Sequence, residues 1–200
     1  MGYPAFFSKV PGIRVQDPLA ELLGAATDGV IEYAYKDAVA LAGHSCPTVA
    51  GAWLMCSRAL ARLYPEGLPR RGGIRVDMRD AVDAGTTGVV ASVAGLITGA
   101  AGEGGFKGLG GRFARRNLLS FGVAMSGELR LTRTDTGAAA EAAYHPEVVP
   151  PDPAMQPLMA KLLSGEATPD ERTEFGRLWQ LRVKRILIDH WDDPALVTLA

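Results

Sequence analysis

The stretch AGHSCPTVAG, residues 42–51, sets a histidine and a cysteine two positions apart with a proline directly after. The whole chain holds three histidines and two cysteines, so this turn concentrates residues that are scarce elsewhere. If Pro47 opens a helix, Cys46 becomes its N-cap, where unpaired N–H groups and the helix dipole favour a thiolate. His44, in the preceding turn, can bring its imidazole to the same point. Such a pair can ligate a borderline metal, zinc first among them, or work as nucleophile and base. The plainer alternative makes Cys46 a small core filler and His44 a helix-end residue bonded to a backbone carbonyl.

Two ligands are not a zinc site, which takes three or four. His190, in LIDHWDDP at the end of an apolar helical stripe, is the first candidate for another. His145, Asp77, Glu103 and Asp189 follow it. His190 can equally do no more than bond the last carbonyls of its helix. Cys56 falls within the stripe Val49, Trp53, Cys56 and Leu60 and reads as inert core. It lies ten residues from Cys46, about 15 Å along a helix, which is beyond disulfide reach.

A second unusual stretch, GAAGEGGFKGLGGRFARRNLL, mixes Lys107, Arg112, Arg115 and Arg116 with glycines. Glycines let backbone N–H groups face a ligand, and guanidinium groups clamp carboxylates or phosphates. Neither a P-loop ending nor a dinucleotide register is present. The competing view is a solvated basic loop, or one that pairs with acidic residues of a symmetric partner.

The elements that must position these residues follow from capping and periodicity. Asp17 and Pro18 start a short helix, GVIEYAY suggests a short strand, and KDAVALA a helix stopped by Gly43. A longer helix runs from Pro47 to about Leu63. GIRVDM alternates as a strand, and TTGVVASVAGLITGAAG reads as a small-residue helix. LLSFGVAM and GELRLTRT are expected to pair antiparallel through a turn at Ser126 and Gly127, with AAAEAAYHP as a further strand. VVPPDP marks a boundary, after which come a helix over 154–163 and a long one capped by Thr168 and Glu171. The apolar side of that last helix projects onto His190. The expected class is α+β, with a domain at 1–150 and a helical C-terminal extension at 151–200 that packs on it or on a second copy of the chain.

Two hundred residues of ordinary apolar content suit a folded domain, and a net charge of -1 gives no electrostatic argument for nucleic acid or a membrane surface. The start MGYPAFFSKVPG lacks the pattern of an export signal. With two thiols read as reduced, the expected location is cytoplasmic.

The motif Gly43, His44, Cys46, Pro47 with Gly51 one turn on resembles the FmdE-like family, named after the E-type component of molybdenum or tungsten formylmethanofuran dehydrogenase. The lead-in YKDAVALAGH, the turn Thr98–Gly99 and GRFARRNLLSFG, with Asn117 and Leu118, extend the resemblance over residues 30–145. It implies a helix-strand-helix followed by three strands in a mixed sheet, a homodimer, and zinc on His44 and Cys46. It also adds Asn117 to the basic residues of the glycine stretch as a ligand-binding position. The family's usual cysteine after the threonine-glycine turn is Ala100 here, and no C-terminal zinc ribbon is present. No molybdopterin, iron–sulfur cluster or nucleotide is expected.

Three functions follow as expectations. The first is a zinc protein with His44, Cys46 and His190 as ligands, binding or acting on a small anionic ligand beside the glycine and arginine stretch. The second is a metal-free thiol enzyme with Cys46 as nucleophile and His44 as base. The third is a non-catalytic dimeric accessory protein.

Overall fold

Pro18 and Pro47 each follow a residue able to cap, and each opens a helix in the computed structural model, which describes residues 2–200. Asp17 accepts from the N–H groups of Leu19 and Ala20 at 2.9 and 3.3 Å and starts α1, Pro18–Leu22. Cys46 Sγ accepts from Val49 N–H at 3.5 Å and starts α3, Pro47–Leu63. Between them lies α2, Tyr35–Ala42, stopped by Gly43 at φ 75°, a left-handed conformation that glycine adopts without Cβ strain. Its small-residue counterpart α4, Thr87–Thr98, ends the same way at Gly99.

Strands β1, Ile13–Gln16, and β2, Val30–Tyr33, form an antiparallel hairpin of their own. The main sheet has the order β4-β3-β5-β6-β7. Its members are β3, Ile74–Met78, β4, Leu119–Ser120, β5, Leu129–Arg133, β6, Ala139–Tyr144, and β7, Val197–Leu199. Only β3 and β4 run parallel, so the sheet is mixed and the fold α+β. The expected hairpin between LLSFGVAM and GELRLTRT does not form. Leu118 O accepts from Val76 N–H at 2.7 Å, which docks β4 alongside β3 on the edge opposite β5. Val123 N–H then reaches Met78 O at 3.1 Å, so the chain runs on past the end of β3 before returning as β5.

The two faces of the sheet differ in chemistry. Ile74, Val76, Leu129, Leu131, Ala140 and Ala142 are buried on one face beneath α3 and α4. Alternation puts Arg75, Asp77, Arg130 and Glu141 on the other. There Asp77 stands opposite Arg130, which pairs with Glu141, so cross-strand charges alternate in sign. Small residues let α3 lie close to the sheet. A Cβ on Gly51 would sit 2.5 Å from the ring of Tyr144.

Residues 151–200 carry α5, Met155–Ser164, and α6, Pro169–Lys184, whose Thr168–Glu171 capping box is in place. A π-helical turn, Arg185–Asp189, follows α6 directly. Its wider winding changes the phase of the helix face. The apolar side that buries Leu178 and Val183 therefore does not project regularly onto His190. The chain then returns as β7, completing the sheet beside β6. Among the described residues, no helix is long and apolar enough to cross a membrane.

Candidate functional site

The helices α3 and α4 pack side by side and both begin at one open cleft of about 700 Å³. Cys46, Pro47 and Thr48 line it from the first turn of α3, and Thr86 and Val90 from the first turn of α4. Thr86 makes no capping bond through its side chain. First-turn N–H groups have no partners within their own helix, and the aligned peptide dipoles leave that end positive. Two such ends therefore face the same space.

Helix α6 closes the cleft from the side. Trp179 Nε1 and Gln180 Nε2 donate to Ser45 O at 2.8 and 3.2 Å, fastening the helix across the turn that carries His44 and Cys46. One turn on, Arg182 donates through Nε to Val149 O at 2.7 Å and through Nη2 to Pro146 O at 3.0 Å. Two of its guanidinium nitrogens are thus held by the chain, leaving the third for the cleft. Met55, Val90, Pro146 and Trp179 give the wall an apolar character. Such a mixture of apolar surface and a few fixed polar groups, at this volume, is typical of small-molecule sites.

The sheet supplies the rest. Tyr144, at the end of β6, rests its ring on Gly51 and keeps its hydroxyl buried without a partner. Burial drives that hydroxyl well above the usual tyrosine range. Glu128, just before β5, lines the cleft and a smaller adjoining chamber of about 260 Å³. Burial raises its carboxyl above the ordinary value, with Asp80 adding to the rise. Arg79, the N–H of Tyr144 and His145 act in the opposite sense.

The shift of Glu128 carries a sign. A carboxyl that holds its proton more tightly when folded costs stability in its ionised form. That cost is present above the folded pKa and absent below the unfolded one. Glu128→Gln should therefore melt higher than the wild type at pH 7.5, by roughly 2 °C for a chain of this length. The gain should vanish at pH 4. Thermal melts at the two pH values test this, and an equal gain at both would refute it.

The expected metal centre is not there. Among the described residues, no three His, Cys, Asp or Glu side chains group so as to hold an ion. His44 is exposed and its Nδ1 lies 2.9 Å from Ala42 O. Cys46 is buried and takes Val49 N–H at its sulfur. His190 is tied to Asp193 Oδ2 at 2.8 Å at the end of the π-helical turn and does not line the cleft. The zinc site on His44, Cys46 and His190 is thus overturned, and the donors present do not fit a metal. The nucleophile and base reading falls with it. His44 and Cys46 line one cleft, but each is committed to a separate local backbone partner. Of the further ligand candidates, Asp77 pairs with Arg75 at 3.1 Å, His145 contacts Thr198 at 3.2 Å, and Glu103 and Asp189 are exposed. Cys56 is fully buried with its thiol pushed up to about 12, as inert core requires.

The glycine and arginine stretch also lies elsewhere. Lys107, Arg112, Arg116 and Asn117 are exposed, and none of them lines the cleft. Arg112 stacks on Phe113, with 4.8 Å from guanidinium to ring centre. Arg115 is buried and structural. Its Nη2 binds Asp17 Oδ1 at 2.6 Å, while Arg71 binds Asp17 Oδ2 at 2.9 Å. The expected anion beside this loop is replaced by a carboxylate of the protein itself.

Sequence reasoning missed Thr48, Thr86, Glu128, Tyr144 and Arg182. The one local signal was the spacing of Trp179 and Arg182, three residues apart and hence on one helix face. The others come from separate strands and helices. No protein-family model matches the chain, and no curated protein matches it. The resemblance to the FmdE-like family therefore stands on its short motifs alone, and the zinc-binding role drawn from it is corrected by the donor geometry.

Proposed function

We propose that this chain is a small-molecule-binding protein whose ligand is an organic acid with an apolar body, held in the cleft where α3 and α4 begin. The observation that carries the reading is Arg182. Its guanidinium is fixed by two backbone carbonyls in the wall of a largely apolar cleft. Among the described residues, no ion pair engages it. A pre-positioned, always-charged fork facing the positive ends of two helices calls for an anion. Trp179 and Met55 offer contact surface to the body of that anion, and the carboxylate meets Arg182. This site is separate from the arginine-rich loop.

The test is a titration with 4-phenylbutyrate, followed by tryptophan fluorescence and by calorimetry. Saturable binding is expected, and Arg182→Ala should weaken it about 10- to 100-fold, the range of a hydrogen bond to a charged group. Arg182→Lys should recover part of the loss, because the charge returns without the fork. Circular dichroism of the variants checks that the fold is retained. Absence of saturable binding to the wild type, or equal affinity in folded Arg182→Ala, would overturn the reading.

A further inference from the structure

We propose that the ligand of this cleft is a zwitterion, with a carboxylate for Arg182 and an ammonium group for Glu128 on either side of an apolar body of about dipeptide size. The inference rests on the reading of the cleft as a ligand site and specifies what that site selects. Its basis is the second charge in the wall. Glu128 has no salt-bridge partner among the described residues. Arg79, the cation of the adjoining chamber, is engaged instead by Asp80 through two bonds of 3.2 Å.

The groove therefore has two poles. At α6 stands a guanidinium without a carboxylate. Where the main cleft passes into the smaller chamber stands a carboxylate without a cation. In that chamber Glu128 and Asp80 outweigh Arg79, so the local charge is negative. A half-buried, unpaired carboxylate is costly, and a ligand ammonium group would restore the lost solvation by charge-assisted bonding. Burial already disfavours the ionised form of Glu128, in keeping with an absent cation. Between the poles lie Met55, Val90 and Trp179, which suit an apolar side chain. A purely anionic ligand would satisfy Arg182 and leave Glu128 facing like charge. A purely cationic one would do the reverse. The combined space of about 700 and 260 Å³ exceeds what one amino acid fills and suits a short apolar peptide.

Calorimetry with the full chain distinguishes the cases. The probes are leucylphenylalanine, its N-acetyl form, which lacks the cation, and 4-phenylbutyrate. The dipeptide should bind at least tenfold more tightly than the N-acetyl form. That ratio should fall to near one in Glu128→Gln, whose folding is checked by its melting curve. A ratio near one in the wild type, or a ratio that survives in Glu128→Gln, overturns the zwitterion. If 4-phenylbutyrate binds in an Arg182-dependent way while the amine adds nothing, the zwitterion fails and the organic-acid site stands. If none of the three probes binds, both fall.

Discussion

Asp17→Asn should destabilise the protein by about 3–5 kcal/mol, the cost of breaking a buried ion pair from one side. Asp17 is 3% exposed and is the one carboxylate bound to both Arg71 and Arg115. Arg115 is 7% exposed, and its Nη1 is buried with no partner. With Asp17 neutral, two guanidinium groups would face each other across the hairpin and the α4 end without a counter-charge. Asparagine still caps a helix well, so loss of the α1 cap contributes little, and the measured change reports the charge.

The pH dependence has a defined sign. Burial by itself would raise the Asp17 carboxyl. The bond from Arg71, the charge of Arg115 and the N–H groups of Leu19 and Ala20 outweigh it and hold the carboxyl below its ordinary value. A depressed folded pKa stabilises the fold above the unfolded value, near ~3.9, and that contribution is lost as pH falls through the folded value. Urea unfolding of wild type and Asp17→Asn should show a constant gap from pH 5 to 8 that narrows below pH 4. A gap under about 1 kcal/mol at pH 7, the level of an exposed pair, would mean that the cluster is solvated and the account is wrong.

The second large effect is expected at Trp53. It is fully buried in the middle of α3, packs edge-on against Tyr35 with ring centres 6.0 Å apart, and donates to Pro11 O at 3.3 Å. Trp53→Ala should cost about 3–5 kcal/mol through lost burial and the cavity left behind. Trp53→Phe should cost clearly less, since it keeps a ring against Tyr35 while giving up the bond to Pro11. The damage should also reach the cleft. Tyr35 touches Ser45 Oγ at 3.1 Å, and Ser45 O is the acceptor for Trp179 and Gln180. Loosening Tyr35 therefore loosens the seat of α6. Urea titration gives the stability. Tryptophan emission of Trp53→Phe, which retains Trp179, reports whether the cleft wall has shifted. A loss for Trp53→Ala of under about 1 kcal/mol, the scale of a surface change, would contradict the packing argument.

Much of the local structure was legible because its causes are local. Pro47 after a side chain that can accept, and Thr168 three residues before Glu171, carry their helix starts within a single turn. Gly43 and Gly99 stop helices because the left-handed backbone there suits a residue without Cβ. The edge strands were harder. β4 spans two residues and β7 three, and each exists because β3 or β6 offers it a ladder. The hairpin assigned to LLSFGVAM and GELRLTRT failed for the same reason. Neighbours in sequence suggested a pairing, but Val76 had already taken Leu118 O as its partner.

The candidate site shows the same division more sharply. Residue type and spacing singled out His44 and Cys46, and both do line the cleft, but as wall and helix cap. Spacing cannot say which way an imidazole turns, and Ala42 O lies closer to hand than any shared ion. Arg115 stood out among the glycines as an anion clamp. Nothing near it in the chain announces that Asp17, 98 residues earlier, has claimed it. The fold decided, too, that Arg182 and Glu128 share one groove, since the return of α6 over the Ser45 turn and the packing of β5 against β3 are set by burial and backbone pairing between distant segments. Helix limits, caps and core stripes were written in the sequence because short-range sterics and hydrogen bonds create them. Which charged groups meet, and which stay unpaired for a ligand, was settled only when long-range packing closed the chain.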